Sequence, residues 1–197
     1  MKGSGMMWIS QMAGGNEGLM MVGGSNNSEG WKAAGDGYVK LNMDARMKDG
    51  EGVGMGIVCR DGRGEVLWGL SIVGDECWEV HVAEAVAVFD GLEEAASRGV
   101  LNVEVESDSL IVIEALWTRK QGRSIFSQII EDIVNLSSKF QSVRWLHTSR
   151  LNNCVAHALA HLVSRVSGRF VWSYGLPPSA NAAVLAGFSL NGSGSDY

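Results

Sequence analysis

The sequence is poor in cysteine, and its cysteines are not grouped. Cys59, Cys77 and Cys154 are far apart, and no C-x-x-C spacing occurs among them. An odd and scattered set of thiols is typical of buried or free cysteines in a reducing compartment. The sequence therefore predicts an intracellular protein without a disulfide framework, with nucleus and cytoplasm both open.

Long apolar runs and an excess of basic residues are also missing. No stretch approaches the roughly 18 apolar residues of a membrane span. The first twelve residues contain no apolar segment as long as that of a signal peptide, so we expect neither membrane contact nor a secretory signal. The formal net charge of −6 argues against binding a polyanion through overall charge. A local basic patch, or a polyanion held through metal ions, stays compatible with it.

What is present predicts one soluble globular domain with a tail at each end. Hydrophobic residues make up 46% and charged residues 19%, and a chain of 197 residues suits a single domain, which we expect to be a monomer. Residues 1–30 contain eight glycines and six methionines without helical or strand periodicity, so they predict a disordered arm. Residues 173–197 predict a flexible Gly/Ser/Ala tail in which 180–188 can form a short helix. The ordered domain is predicted at 31–172.

Hydrophobic periodicity within that domain predicts alternating strands and helices. The expected elements are strands at 37–47, two within 52–74, 102–106 and 142–147, and helices at 81–98, 109–117, 126–140 and from Asn152 or Asn153 to Val166. The order βββαβααβα predicts an α/β fold with a five-stranded mixed sheet and helices packed on it. The first three strands form an antiparallel meander, and the last two join parallel after helical crossovers.

Three carboxylates lie where the fourth predicted strand passes into a helix, in "VEVESDSLIVIEAL" (103–116). Glu104 and Glu106 are on the strand, and Asp108 follows its carboxyl end, where ligands gather in parallel sheets. Asp108 is either an N-cap or a metal ligand. Glu84 stands among small and apolar helix residues, where it is either a flank residue or a ligand. Asp44 lies near the end of the first strand, and its position alone favours a polar strand face over a ligand.

Five sequence blocks in order resemble one known family. The blocks are "KLNMDA" (40–45), "GMGIVCRDGRGE" (54–65), "AEAVAVFDGLEEA" (83–95), "VESDS" (105–109) and "RLNNCVAHALA" (150–160). Together they resemble the type 1 ribonuclease H fold, in particular the RNase H-like domain of plant non-LTR retroelement reverse transcriptases. The resemblance implies a metal-dependent endonuclease that cuts the RNA strand of an RNA–DNA hybrid.

The resemblance also implies the residues that hold metal. Asp44, Glu84 and Asp108 fall on the family's positions for ligands of divalent metal. Mg²⁺ prefers such carboxylate oxygens, with Mn²⁺ as an alternative, and two metal ions can activate water and stabilise the leaving oxygen of a phosphodiester. Glu104 and Glu106 match no family ligand, so we expect them to be solvated.

The last block departs from the family's pattern at the fourth acidic position. His157 stands there, and imidazole is a poorer Mg²⁺ ligand than carboxylate. The residue either binds one metal weakly, orients water or passes a proton, or it is a helix-surface histidine without a role. His147 falls at the spacing of the family's mobile histidine. His157 and His161 are four residues apart, but without a further Cys/His cluster a zinc site is not expected.

Basic residues supply possible contacts to a nucleic-acid backbone. Arg119, Lys120 and Arg123 lie in one predicted loop, and Arg144 and Arg150 follow later. They either contact phosphates or belong to solvated loops. The acidic balance and His157 keep a second function open, that of a catalytically weakened, retroelement-derived module that only binds nucleic acid or protein.

Overall fold

The computed structural model describes residues 31–48, 52–162 and 167–191. The predicted meander is present as β1 (Val39–Lys48), β2 (Gly52–Arg60) and β3 (Val66–Gly74), paired antiparallel. Asp61 closes the β2–β3 turn, because its Oδ1 accepts hydrogen bonds from the backbone N–H groups of Arg63 and Glu65. The Asp-Gly signal in the sequence therefore corresponds to a real turn.

Helices and parallel strands follow in the predicted order. They are α1 (Val80–Ser97), β4 (Asn102–Ser107), α2 (Leu110–Trp117), α3 (Ile125–Ser137), β5 (Ser142–His147) and, after a 3₁₀ turn at Arg150–Asn153, α4 (Cys154–Ala160). β4 pairs parallel with β1, and β5 pairs parallel with β4. The carboxyl ends of β4 and β5 consequently lie at one edge of the sheet, beside the later part of β1.

The sheet has six strands rather than the predicted five, in the order β5-β4-β1-β2-β3-β6. The added strand β6 (Gly168–Trp172) pairs antiparallel with the outer edge of β3. It is short and follows a run that sequence periodicity assigned to the last helix, which in the structure ends at Ala160. The predicted helical position Val166 lies outside the described residues, as does the predicted arm at 1–30.

Two apolar clusters lie on opposite faces of the sheet. The larger contains Leu41 and Met43 of β1 together with residues of α1, α2 and α3. The smaller joins Val58 of β2 to Val155 and Leu159 of α4. No helix within the described residues is long and apolar enough to cross a membrane.

The smaller cluster continues into the segment that was predicted to be a flexible tail. Helix α5 (Pro178–Asn191) contains the suggested short helix and extends beyond it. Leu176 and Ala180 are buried against α4. A helix that packs on α4 therefore lies within the predicted tail, because an apolar face of α4 and β2 needs a cover that composition alone does not reveal.

Glu104 and Glu106 are not solvated, which corrects a second prediction. They are 6% and 9% exposed. The Nζ of Lys40 lies 3.5 Å from a Glu104 oxygen and 3.3 Å from a Glu106 oxygen, and Arg144 Nη1 lies 3.0 Å from Glu104. Because β4 is an interior strand, its polar face is covered by neighbouring side chains, and buried charges persist there only when they are paired.

Trp31 covers this group of charges. Its Nε1–H donates to Asn42 Oδ1, and the Arg60 guanidinium stacks 3.4 Å from the ring centroid. Asn42 in turn donates from Nδ2 to Glu106 Oε2 at 2.7 Å. We call this set the sheet-face network; its members are Trp31, Lys40, Asn42, Arg60, Glu104, Glu106 and Arg144. The network accounts for the burial of Glu104 and Glu106 on β4 and gives both a structural role.

Candidate metal centre

Three carboxylates from separate parts of the chain meet at the carboxyl edge of β4. Asp44 lies on β1 and Glu84 lies in the first turns of α1. Asp108 directly follows Ser107, the last residue of β4. Each offers an oxygen, and these oxygens all lie within 4.8 Å of one another. The structure thus brings together the three residues that the sequence assigned to metal binding. We call them the carboxylate cluster.

Glu84 has the most perturbed environment of the cluster. It is 6% exposed, and its Oε2 has no hydrogen-bond partner. Burial, followed by the negative charges of Asp44 and Asp108, raises the pKa of Glu84 to about 9, although the backbone N–H of Ala45 donates a hydrogen bond to the carboxylate. Without a cation, Glu84 is therefore protonated at neutral pH.

Asp44 is held between opposing influences. Burial and the nearby Asp108 raise the pKa of Asp44, whereas the hydrogen bond and charge of His157 and the charge of Arg150 lower it. Of the basic residues proposed from sequence, Arg150 is the one whose charge acts on both Asp44 and Glu84. The net result is a raised pKa for Asp44, which reflects the cost of burying this carboxylate next to a second one.

The cluster fits a divalent cation of the Mg²⁺ type. A bound cation would give the partnerless Glu84 Oε2 a ligand role and would offset the repulsion that raises both pKa values. All three donors are carboxylate oxygens, which hard cations prefer. The donor set and its burial therefore satisfy the chemical requirements of such a site.

Two histidines border the cluster on the α4 side. His157 Nδ1 lies 2.7 Å from Asp44 Oδ2, so the residue at the family's fourth acidic position contacts a predicted metal ligand. His161, the residue after α4, donates from Nδ1 to the His157 carbonyl oxygen at 2.9 Å. Partial burial, then the charges of His157 and Arg46, lower the pKa of His161.

Asn153 positions the cluster, a role that the sequence analysis missed. Its Nδ2 donates to Asp108 Oδ1 at 2.7 Å and to the Met43 carbonyl oxygen at 2.8 Å. Asn153 stands at the N-cap position of α4, but its side chain makes no capping hydrogen bond there. Asp108 is not the N-cap of α2, since Ser109 occupies that position. The family block "RLNNCVAHALA" contained the signal, because Asn153 begins its N-x-x-A pattern.

The other predicted residues are not members of the carboxylate cluster. His147 ends β5 beside Ser107, one residue before Asp108, at the same edge of the sheet. Arg119, Lys120 and Arg123 are exposed in the loop between α2 and α3, where Arg119 has a φ of 48°. Arg144 belongs to the sheet-face network and stacks 3.9 Å from the Tyr38 ring centroid, so its charge is engaged.

Comparison with protein families gives a result that agrees with this topology. The family model described as reverse transcriptase-like matches residues 42–163, more than half of the chain. The chain belongs to this reverse transcriptase-like family. No curated protein matches it. The family match begins in β1 and ends beyond α4, so it contains all three carboxylates and both histidines.

Solved structures similar to this reverse transcriptase-like domain include ribonucleases H. RNase H1 from the archaeon Halobacterium salinarum NRC-1 has 23% identity and a TM-score of 0.58, covering 62% of this chain and 94% of the other. The N-terminal RNase H domain of rv2228c from Mycobacterium tuberculosis, solved as a fusion with maltose binding protein, has 20% identity and a TM-score of 0.58, covering 76% and 97%.

A third similar structure was solved with nucleic acid. LC11-RNase H1 in complex with an RNA/DNA hybrid has 22% identity and a TM-score of 0.56, covering 61% of this chain and 92% of the other. At such identities the likeness establishes the fold alone. The predicted ribonuclease H-like α/β fold is confirmed, with one strand more than expected.

Proposed function

We propose that this chain is a divalent-metal-dependent endonuclease that hydrolyses the RNA strand of RNA–DNA hybrids, derived from a plant non-LTR retroelement. The observation that carries the proposal is the carboxylate cluster, above all the buried and partnerless Glu84 Oε2. The hybrid bound to LC11-RNase H1 supports the choice of substrate. A soluble, intracellular, monomeric protein is part of the same proposal.

Asp44, Glu84 and Asp108 would hold the metal ions, Mg²⁺ or Mn²⁺, in a two-metal site. When bound, such ions supply an activated water and stabilise the leaving oxygen of the phosphodiester. Asn153 fixes the direction of the Asp108 carboxylate, since it donates to Oδ1 from a buried position. His157 can hold a proton against Asp44 and pass it on, because its Nδ1 is within hydrogen-bond distance of Oδ2.

Substrate contacts would come from the exposed basic residues and from His147. Arg150, whose charge acts on Asp44 and Glu84, can meet the scissile phosphate. The 119–123 loop can contact phosphates further along the duplex. His147 can assist product release from the same edge of the sheet. Discrimination of RNA from DNA would rest on 2′-hydroxyl groups in the minor groove.

A second candidate function has one specific observation in its favour. The His157–Asp44 contact occupies an oxygen of a proposed ligand and partly balances its charge without any metal. A domain adapted to this arrangement would bind nucleic acid or a protein partner without cutting. The two functions differ in their need for Asp108.

One experiment separates them. Cleavage of a uniform RNA–DNA hybrid is measured for the unmodified chain and for Asp108→Asn, with EDTA, Mg²⁺ or Mn²⁺ at matched ionic strength, together with binding to the same hybrid. The enzyme proposal expects metal-dependent cutting that Asp108→Asn abolishes while hybrid binding is retained. Binding without cutting by the folded, unmodified chain in every metal would establish the binding module instead.

A further inference from the structure

A second donor group lies beside the carboxylate cluster and has a different chemistry. Asp44, His157 and His161 each offer one ligand atom, and these atoms lie within 4.8 Å of one another. The two imidazole rings are 3.9 Å apart between centroids and tilted by 45°. Sequence spacing alone gave two histidines and no third ligand; the fold supplies the third from β1.

The hydrogen bond of His161 defines which of its nitrogens is free to bind. A carbonyl oxygen can only accept, so the contact from His161 Nδ1 to the His157 carbonyl oxygen requires a proton on Nδ1. Nε2 then carries the lone pair. Histidine ligands in metal sites are oriented in this way, with the second nitrogen donating to a carbonyl or carboxylate. This bond therefore leaves Nε2 as the nitrogen of His161 that can bind an ion.

The separation of His157 and Asp44 also suits a shared ion. His157 Nδ1 and Asp44 Oδ2 are 2.7 Å apart. Two ligands at the usual bond length of about 2.1 Å lie roughly 3.4 Å apart around one tetrahedral ion, so a cation can replace the shared proton when the two ligand atoms move apart by roughly 0.7 Å. His161 is exposed and the His157 side chain is 33% exposed, so water can complete the coordination.

From this geometry we propose that Asp44, His157 and His161 form a site for a transition-metal ion of the Zn²⁺ or Co²⁺ type, distinct from the carboxylate cluster. Two imidazoles with one carboxylate favour such ions over Mg²⁺, which prefers oxygen ligands. The site does not depend on the proposed nuclease function. Because Asp44 belongs to both donor groups, an ion held by the histidines restrains one ligand of the carboxylate cluster.

The test uses the full chain without a histidine tag, freed of metal by EDTA and dialysis. Co²⁺ is titrated and followed by its visible d–d absorption, and Zn²⁺ is then added to displace it. His161→Gln is compared with His81→Gln, because His81 is a partly exposed histidine on α1, outside this donor group. We expect saturable Co²⁺ binding by the unmodified chain, weakened at least about 10-fold by His161→Gln and unchanged by His81→Gln.

A further variant separates this site from the carboxylate cluster. Glu84→Gln removes a donor that belongs only to that cluster, so it should leave the Co²⁺ spectrum in place. Equal binding by the His161 and His81 variants, or no saturable binding by the unmodified chain, would overturn the proposal. Hybrid cleavage in Mg²⁺ is measured on the same samples. Its absence would refute the nuclease proposal alone, provided that the histidine-dependent spectrum is present.

Discussion

Replacing Glu84 with glutamine should stabilise the metal-free protein, and the gain should grow with pH. The folded-state pKa of Glu84, about 9, is above the ordinary value of 4.5. The folded state therefore binds this proton more tightly than the unfolded state does. The resulting stability is fully present below about pH 4.5 and is lost progressively as the pH rises to about 9.

The expected size follows from these two values. Each pH unit between them costs about 1.4 kcal/mol, so roughly 3 kcal/mol is lost between pH 4.5 and pH 7. Glutamine has the shape of the protonated side chain and cannot ionise, so Glu84→Gln avoids this loss. We expect nearly equal stabilities at pH 4.5 and a variant more stable by about 3 kcal/mol at pH 7.

Urea unfolding in EDTA at several pH values measures the effect, with Glu93→Gln as the control because Glu93 is exposed on the same helix. Adding Mg²⁺ at 1,000 times its Kd should reverse the order, since the ion then stabilises the unmodified protein by about 4.1 kcal/mol, more than the difference at pH 7, and finds one carboxylate fewer in the variant. A stability difference that does not change between pH 4.5 and pH 7 would show that burial and the neighbouring negative charges do not destabilise the ionised form of Glu84.

Three other substitutions give further predictions. His157→Asp adds a fourth carboxylate, so hybrid cleavage in Mg²⁺ should rise. The unmodified chain should cleave faster in Mn²⁺ than in Mg²⁺, because Mn²⁺ accepts imidazole more readily. Equal cleavage rates for both proteins in both metals would contradict a limiting fourth ligand. Glu106→Ala removes a buried acid from Lys40 and should lower the free energy of unfolding by about 3 kcal/mol. Gly56→Ala should cost about 1 to 3 kcal/mol, because a Cβ there overlaps the Ala156 carbonyl oxygen and pushes α4 off the sheet.

Each stability prediction has a matched control in the same chain. Glu114 is exposed on α2, so Glu114→Ala should change the denaturation midpoint far less than Glu106→Ala does. Gly62 is exposed in the β2–β3 turn, where an added Cβ meets only ordinary contacts, so Gly62→Ala should be tolerated. If either control lost as much stability as its partner, the structural reason given for that partner would be wrong.

The sequence was sufficient to predict the elements that approach one another through regular topology. Residues 142–147 are β5 within the predicted limits, and the positions of Asp44 and Asp108 follow from two neighbouring parallel strands. Glu84 was visible because a charged residue interrupts small and apolar helix positions. Strand alternation and helix periodicity are local signals, so they survive without any knowledge of tertiary contacts.

Features that depend on long-range contacts could not be predicted in this way. Glu104 alternates as a solvated strand residue would, yet Lys40 and Arg144 come from distant positions to pair with it. Asn153 looks like a helix cap until Asp108 is placed beside it. Strand β6 exists because β3 has an open edge, which is a property of the assembled sheet. Local pattern cannot distinguish a polar side chain in water from one that is covered and paired.

The segments that cover the two faces of the domain lie outside the region that the family shares. The shared region, 42–163, excludes Trp31 and Lys40, which complete the sheet-face network, and it excludes Leu176 and Ala180, which cover α4. A fragment cut at the family limits would lose the ion pairs of Lys40 with Glu104 and Glu106 and would leave an apolar helix face open to solvent. The region that the family shares is thus shorter than the unit that has a complete core and a fully paired sheet face. A protein that contains the family region therefore needs further segments on both sides of it, one to cover the sheet-face network and one to cover α4.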